Sequence, residues 1–221
     1  MQHITALFFG LLLVALQVNA QVSPQKEISP AFVEQHFKAE DYPNIKIDSS
    51  FSVQIKAALL FYPELKDRHI LFRVKKATIP LTSRPRLMSI FQKPKNRRYI
   101  ITISSKTMDR LEPILLKNLS FNAQVGVLGH EISHVADYNS RNTWFFIKLG
   151  ASFVSKKAID RFENNTDRRC IKHGLGYQLL AWSTEVRQKL KIEQWNGVKS
   201  EEMFKGERYM SPESILRLID Y

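Results

Sequence analysis

The chain holds one cysteine among its 221 residues. That single thiol, Cys170, excludes an internal disulfide, so an oxidising compartment would give no covalent brace. Stability has to come from an apolar core and any bound metal. A chain of this length can bury such a core in one domain. Long apolar runs are also missing after the first twenty residues, which excludes a conventional membrane-spanning helix there. Internal repeats and low-complexity blocks are absent. Acidic residues are scarce relative to basic ones, 21 against 33, for a formal charge of +12. That balance favours anionic partners. No recognised nucleic-acid motif accompanies the scattered basic residues, so nucleic acid is not the expected partner and a solvated basic surface is.

The first twenty residues, "MQHITALFFGLLLVALQVNA", are the exception to the missing apolar runs. Ile4 to Val18 is almost wholly apolar, and Val18-Asn19-Ala20 has the small-residue form of a signal cleavage site. No Lys or Arg precedes the run; Gln21, not cysteine, follows the cleavage site, which argues against a lipoprotein. The expectation is a signal peptide over 1–20 and a single domain over 21–221, exported to a periplasm or secreted.

Residues 21–30 read as an extended arm. Residues 31–40 suggest a short helix, and "SFSVQIKAALLF", 50–61, an amphipathic one stopped near Pro63. "HILFRVKKATIP", 69–80, and "RRYIITISS", 97–105, are rich in β-formers and read as strands. Between them, 80–97 reads as a loop, or a loop with a short irregular strand, and a short helix is expected within 107–119. Helices follow: Asn122–Tyr138, then the apolar stretch from Thr143 to Glu163, then 166–191 with a break at Gly174 and Gly176. "SPESILRLI" has Ser211 as N-cap and Pro212 at the first helical position. The order implies an α+β fold: a small antiparallel or mixed sheet, then a mainly helical C-terminal half.

"GVLGHEISHVADY", 126–138, carries the chemistry. At about 100° per residue, His130 and His134 lie about 40° apart on the helix, so both imidazoles can face one ion. Neutral imidazole suits zinc, and a catalytic site leaves one position open for water. Glu131 stands where a general base is needed. Apolar residues such as Val125, Leu128 and Ile132 form the back of this helix. Gly126 and Gly129 suggest close packing against a neighbour, the sheet being the expected one.

A third ligand is required. The residues after His134 are "VADYNS", so the glycine and third histidine of metzincins are not there. Asp137 is one candidate, although three ligands on a continuous helix converge poorly on a tetrahedral ion. Glu163-x-x-x-Asp167, on another predicted helix, is the better one. Residues four apart share a helix face. Glu163 can complete the ligand set while Asp167 accepts the N–H of a ligating histidine, fixing its tautomer.

The combination His130-Glu131-x-x-His134 followed by Glu163-x-x-x-Asp167-Arg168 resembles the gluzincin zinc metallopeptidases. In particular it resembles the peptidase family of type I CAAX prenyl proteases and bacterial heat-shock membrane proteases, including soluble exported members. That family has a Gly-Val-Leu-Gly-His-Glu context and a Glu-x-x-Ala-Asp-Arg second motif; Thr166 stands here in place of the alanine. The match runs from Phe121 to Tyr177, about a quarter of the chain. The resemblance implies a zincin-like fold with its sheet packed on the motif helix. It implies His130, His134 and Glu163 as zinc ligands, Glu131 as base, and Asp167 behind the ligands.

The expected function is an exported zinc endopeptidase acting on protein or peptide substrates. The alternative is a catalytically weak binding or chaperone-like envelope protein on the same fold. His173, Tyr177 and Arg168 are candidates for stabilising an oxyanion. The strand around Tyr99 to Ser104 is the expected sheet edge for an extended substrate. "WFFIKLGASFV", 144–154, reads as a core helix, with peripheral contact at an anionic membrane surface as the alternative. Cys170 reads as a small buried residue. Residues 21–50 are placed to cover the cleft, with His36 as their sole metal-binding candidate.

Overall fold

The computed structural model describes residues 22–47, 49–152, 155–192 and 208–219. The expected signal peptide lies outside them. The architecture is α+β, with a four-stranded mixed sheet and a mainly helical remainder.

The N-terminal part alternates short helices and strands. α1 (Pro30–His36) starts at Ser29, whose hydroxyl accepts the Phe32 N–H. α2 (Ser52–Leu59) follows a two-residue strand, β1 (Ile45–Lys46). β2 (His69–Lys75), β3 (Leu81–Pro85) and β4 (Arg98–Ser104) complete the sheet in the order β1-β2-β4-β3. β1, β2 and β4 run parallel; β3 runs antiparallel to β4, with Thr82 opposite Thr102. Ile70, Phe72, Tyr99, Ile101 and Ile103 are buried.

Three readings of this half are sharpened or corrected. The region 80–97 contains a regular strand, because β3 pairs along its whole length with β4. β4, the strand from Tyr99 to Ser104, is not the edge: it pairs with β2 on one side and β3 on the other. β3 is the edge. The helix expected within 107–119 is two 3₁₀ turns, Asp109–Ile114 and Leu116–Asn118, because Pro113 has no N–H to continue an α-helix.

α3 (Phe121–Ser140) is the central element, capped by the Ser120 hydroxyl and buried from Ala123 to Tyr138. α2, β3, α5 and α6 pack around it. The apolar stretch after it divides into α4 (Thr143–Ser152) and α5 (Lys156–Cys170), the second begun by Ser155 as N-cap. Continuation fails at a π-helical turn, Ile171–Leu175, where Gly174 takes φ 95°, a conformation open to glycine. α6 (Gly176–Leu190) then runs back along α3, and α7 (Pro212–Ile219) packs on α6. The break is therefore at Gly174, while Gly176 opens α6.

The glycines of α3 serve a helix neighbour, correcting the expected sheet contact. A Cβ on Gly126 would lie 2.1 Å from the Gln178 carbonyl oxygen of α6. One on Gly129 would meet Leu175 and Cys170. Tyr62, just past α2, donates its hydroxyl to Gly129 O at 2.7 Å and lies 2.7 Å from Ser133 Oγ. These contacts fix the height of α3 against the elements that carry the other half of the site.

Candidate metal centre

α3 and α5 cross so that three side chains converge. His130 Nε2 and His134 Nε2 each lie 3.2 Å from Glu163 Oε2, and the set of three donor atoms fits within 4.8 Å. Ligands bound to zinc at about 2.0–2.1 Å in a tetrahedral array stand about 3.3–3.4 Å from one another. The spacing of Glu163 to each histidine is close to that requirement.

The proton positions follow from the partners behind the rings. A carboxylate accepts, so His130 Nδ1–H donates to Asp167 Oδ1 at 2.7 Å. The single Thr166 hydroxyl hydrogen goes to Phe162 O at 3.0 Å, so Thr166 Oγ1 accepts His134 Nδ1–H at 3.2 Å. Both Nδ1 protons are thereby engaged, and both Nε2 lone pairs are turned toward Glu163. Three acceptors facing one another in a buried site repel unless a cation or proton lies between them. Without a metal, a proton takes that place. Burial opposes charging His130, but Asp167 and Glu163 override it and raise its pKa well above the usual imidazole value. Burial likewise opposes ionising Glu163, yet the hydrogen bonds to His130 and His134 hold its pKa far below the usual carboxylate range. A divalent ion satisfies the same three acceptors.

Asp167 has a second task. Its Oδ2 accepts the Met210 N–H at 2.7 Å, so one carboxylate ties His130 to the segment entering α7. That segment brings Arg208 and Tyr209 to the site. The Tyr209 ring centroid is 5.5 Å from that of His130 and 5.5 Å from that of Trp182. Burial, then the carboxylates of Glu163, Glu131 and Asp167, push the Tyr209 phenol well up, which keeps it a proton donor. Arg208 is held by Asp160 at 2.9 Å. Together with Glu131, Trp182 and Leu81, these residues line a cavity of about 340 Å³ beside His130. Its remaining walls are largely apolar, including Val127 and Val186.

The other candidates lie elsewhere. Asp137, weighed as a metal ligand, pairs with Arg141 at 3.0 Å and with Arg169 at 2.5 Å. A helix advances too far between His134 and Asp137 for both to reach the ion that His130 faces. His173, an oxyanion candidate, has Nδ1 on Arg169 O and Nε2 on Glu64 Oε1, and stacks on Tyr62. The π-turn carries it away from the cleft. Tyr177 is absent from the walls of the cavity beside Glu131. Arg168 bonds Asn164 across one turn of α5. His36 stacks on Phe32 and bonds its carbonyl. The N-terminal arm lies over the start of α3 and α6, through Ile28 to Asn122 and Gln25 to Gln178. Cys170 is fully buried, and desolvation, then Asp167, pushes its thiol far above the ordinary range. Tyr209 is the residue that sequence reasoning missed: no spacing rule connects a residue beyond α6 to a motif on α3.

Comparison of the chain with protein-family models, curated proteins and solved structures gives no match.

Proposed function

We propose that this chain is an exported zinc-dependent endopeptidase of the gluzincin kind. One observation carries the reading: His130, His134 and Glu163 converge with both histidine Nδ1 protons already engaged, beside a cavity walled by Glu131. The mixed sheet with an antiparallel edge strand, the motif helix beneath it and the carboxylates on a second helix support a zincin-like fold.

His130, His134 and Glu163 hold the metal, and Asp167 and Thr166 orient the rings. Zinc in such a site acidifies water and polarises a peptide carbonyl. Glu131 takes the proton from the attacking water and returns it to the leaving amine. The Tyr209 hydroxyl donates to the oxyanion as charge develops. An extended substrate pairs along β3, whose Leu81 lines the cavity, and an apolar side chain fills the pocket between Val127, Trp182 and Val186.

The deciding experiment compares the wild type with Glu131→Gln on a casein or peptide-library substrate, with zinc content measured for both. The expected result is one equivalent of zinc in each and cleavage only by the wild type, abolished by chelation. Cleavage by Glu131→Gln, or cleavage that survives chelation, overturns the proposal. Stoichiometric zinc without any cleavage favours the binding or chaperone-like reading.

A further inference from the structure

α4 presents an unusual outer face. Phe145, Phe146 and Leu149 pack toward the core, but Trp144 is 68% exposed and Ile147 52%. The helix is thus only half a core helix. Leu87, Met88 and Phe91, on the 3₁₀ turn after β3, are 70%, 72% and 65% exposed. These five are more than half of the exposed large apolar side chains among the described residues.

The two segments form one surface. The Thr143 hydroxyl donates to Ile90 O at 3.1 Å. Arg97, only 1% exposed, donates to Gln92 O on one side and to Tyr138 O and Arg141 O on the other. Its guanidinium also lies 4.9 Å from the Phe146 ring. A fully buried arginine spent on backbone carbonyls braces the loop against the turn between α3 and α4. The exposed side chains are therefore displayed on a fixed support.

Charge says what the surface meets. No aspartate or glutamate occurs between Asp67 and Asp109, nor between Asp137 and Asp160, while Arg84, Arg86, Lys93 and Lys95 flank the apolar turn. Behind α4 lies a cavity of about 590 Å³ between α3, α4 and α5. Lys148, Arg161, Arg168 and Lys172 line it, and no ion pair reaches any of the four among the described residues. Its one carboxylate, Asp137, is already shared by Arg141 and Arg169. Apolar side chains standing out of a basic surface, with an open basic cavity alongside, match an interface of hydrocarbon under phosphate.

We propose that this face seats on an anionic phospholipid bilayer. Leu87, Met88, Phe91, Trp144 and Ile147 enter the headgroup–acyl boundary, and Lys148, Arg161 and Lys172 take lipid phosphates at the cavity mouth. The docking does not rest on the metal chemistry. It sets β3, which leads directly into the apolar turn, close to the membrane plane, so proteins held at that plane are the substrates best placed to reach the cleft.

The test is flotation of the full chain with phosphatidylcholine vesicles and with vesicles that also contain phosphatidylglycerol. The wild type is expected to float with the anionic vesicles, much less with the neutral ones, and to be released by molar salt. Leu87→Ser/Phe91→Ser/Trp144→Ser and, separately, Lys148→Glu/Lys172→Glu are expected to partition at least tenfold more weakly, with thermal transitions like the wild type. Hydrogen exchange on the wild type gives a measure that needs no variant: vesicles should protect 86–92 and 143–150. Failure of the wild type to float overturns the proposal. So does equal binding by the serine variant, which would assign attachment to charge alone or to residues outside this face. Protection confined to other segments also overturns it.

Discussion

At the scale of single residues, each histidine of the proposed metal site is held by a different partner, and the two should not matter equally. Asp167 is 1% exposed and bonds both His130 and the Met210 amide. Asp167→Asn keeps the shape but loses the charge, and should weaken zinc binding by about 10- to 100-fold, read by chelator competition. Thr166 holds His134 through a neutral hydroxyl, so Thr166→Ala should cost less than Asp167→Asn in the same assay. Equal losses would contradict the assigned proton positions. Tyr209→Phe should retain metal and lower kcat by about 10²-fold, the scale of removing one oxyanion donor. The cluster of His130, His134 and Glu163 was legible because a four-residue spacing dictates a shared helix face, whatever the tertiary fold. Tyr209 was not, because a loop side chain reaches a site through packing, which leaves no period in the sequence. His173 looked suitable for the opposite reason: its distance from Asp167 suggested proximity, and the π-turn rotated it onto Glu64 and Tyr62.

At the scale of elements, the contact between α3 and α6 depends on a missing side chain. Gly126→Ala would drive a Cβ against the Gln178 backbone carbonyl, which cannot swing aside. Overpacking of this kind costs about 1–3 kcal/mol, outweighing the gain in helix propensity. Gly150 in α4 has nothing within 4 Å of the same atom, so Gly150→Ala should be neutral or stabilising by up to about 1 kcal/mol. Urea denaturation of both variants checks the pair, and a stabilised Gly126→Ala would refute the close approach. α7 was readable from Ser211, whose hydroxyl accepts the Ser214 N–H, while the Ser29 and Ser120 caps of α1 and α3 emerge only in the structure. The sheet edge was misread for an instructive reason. "YIITIS" is apolar on both faces, the mark of a strand covered on both sides. Pro80 and Pro85 bracket the strand that does lie at the edge, where a missing N–H is tolerated.

At the scale of the whole molecule, the site couples folding to acid and to metal. In the metal-free chain His130 has a raised pKa, so its contribution is complete below about pH 6.5 and is lost as pH rises through the folded value. Glu163 has a lowered pKa, so its contribution is present above about pH 4.5 and is lost as pH falls. For this pair, the metal-free protein is most stable between those limits. Its urea midpoint should decline as pH is raised above 6.5, and zinc should remove the decline by replacing the proton. A midpoint in chelator that climbs from pH 6.5 to 9 would refute this coupling. The α+β class was legible from element order, because every strand precedes α3 and only helices follow it among the described residues. The packing of the helical half was not, since it depends on Gly126, Gly129 and Gly174 meeting partners far away in sequence.

The bond from Asp167 to the Met210 amide also orders events in time. During synthesis His130, Glu163 and Asp167 emerge well before Met210. Until Met210 arrives, Asp167 has one oxygen without its amide partner and Tyr209 is not yet in the cleft. The histidines can meet a metal at that stage, but the donor proposed for the oxyanion cannot be present. Competence for hydrolysis would therefore appear as a late folding step, separable from metal uptake.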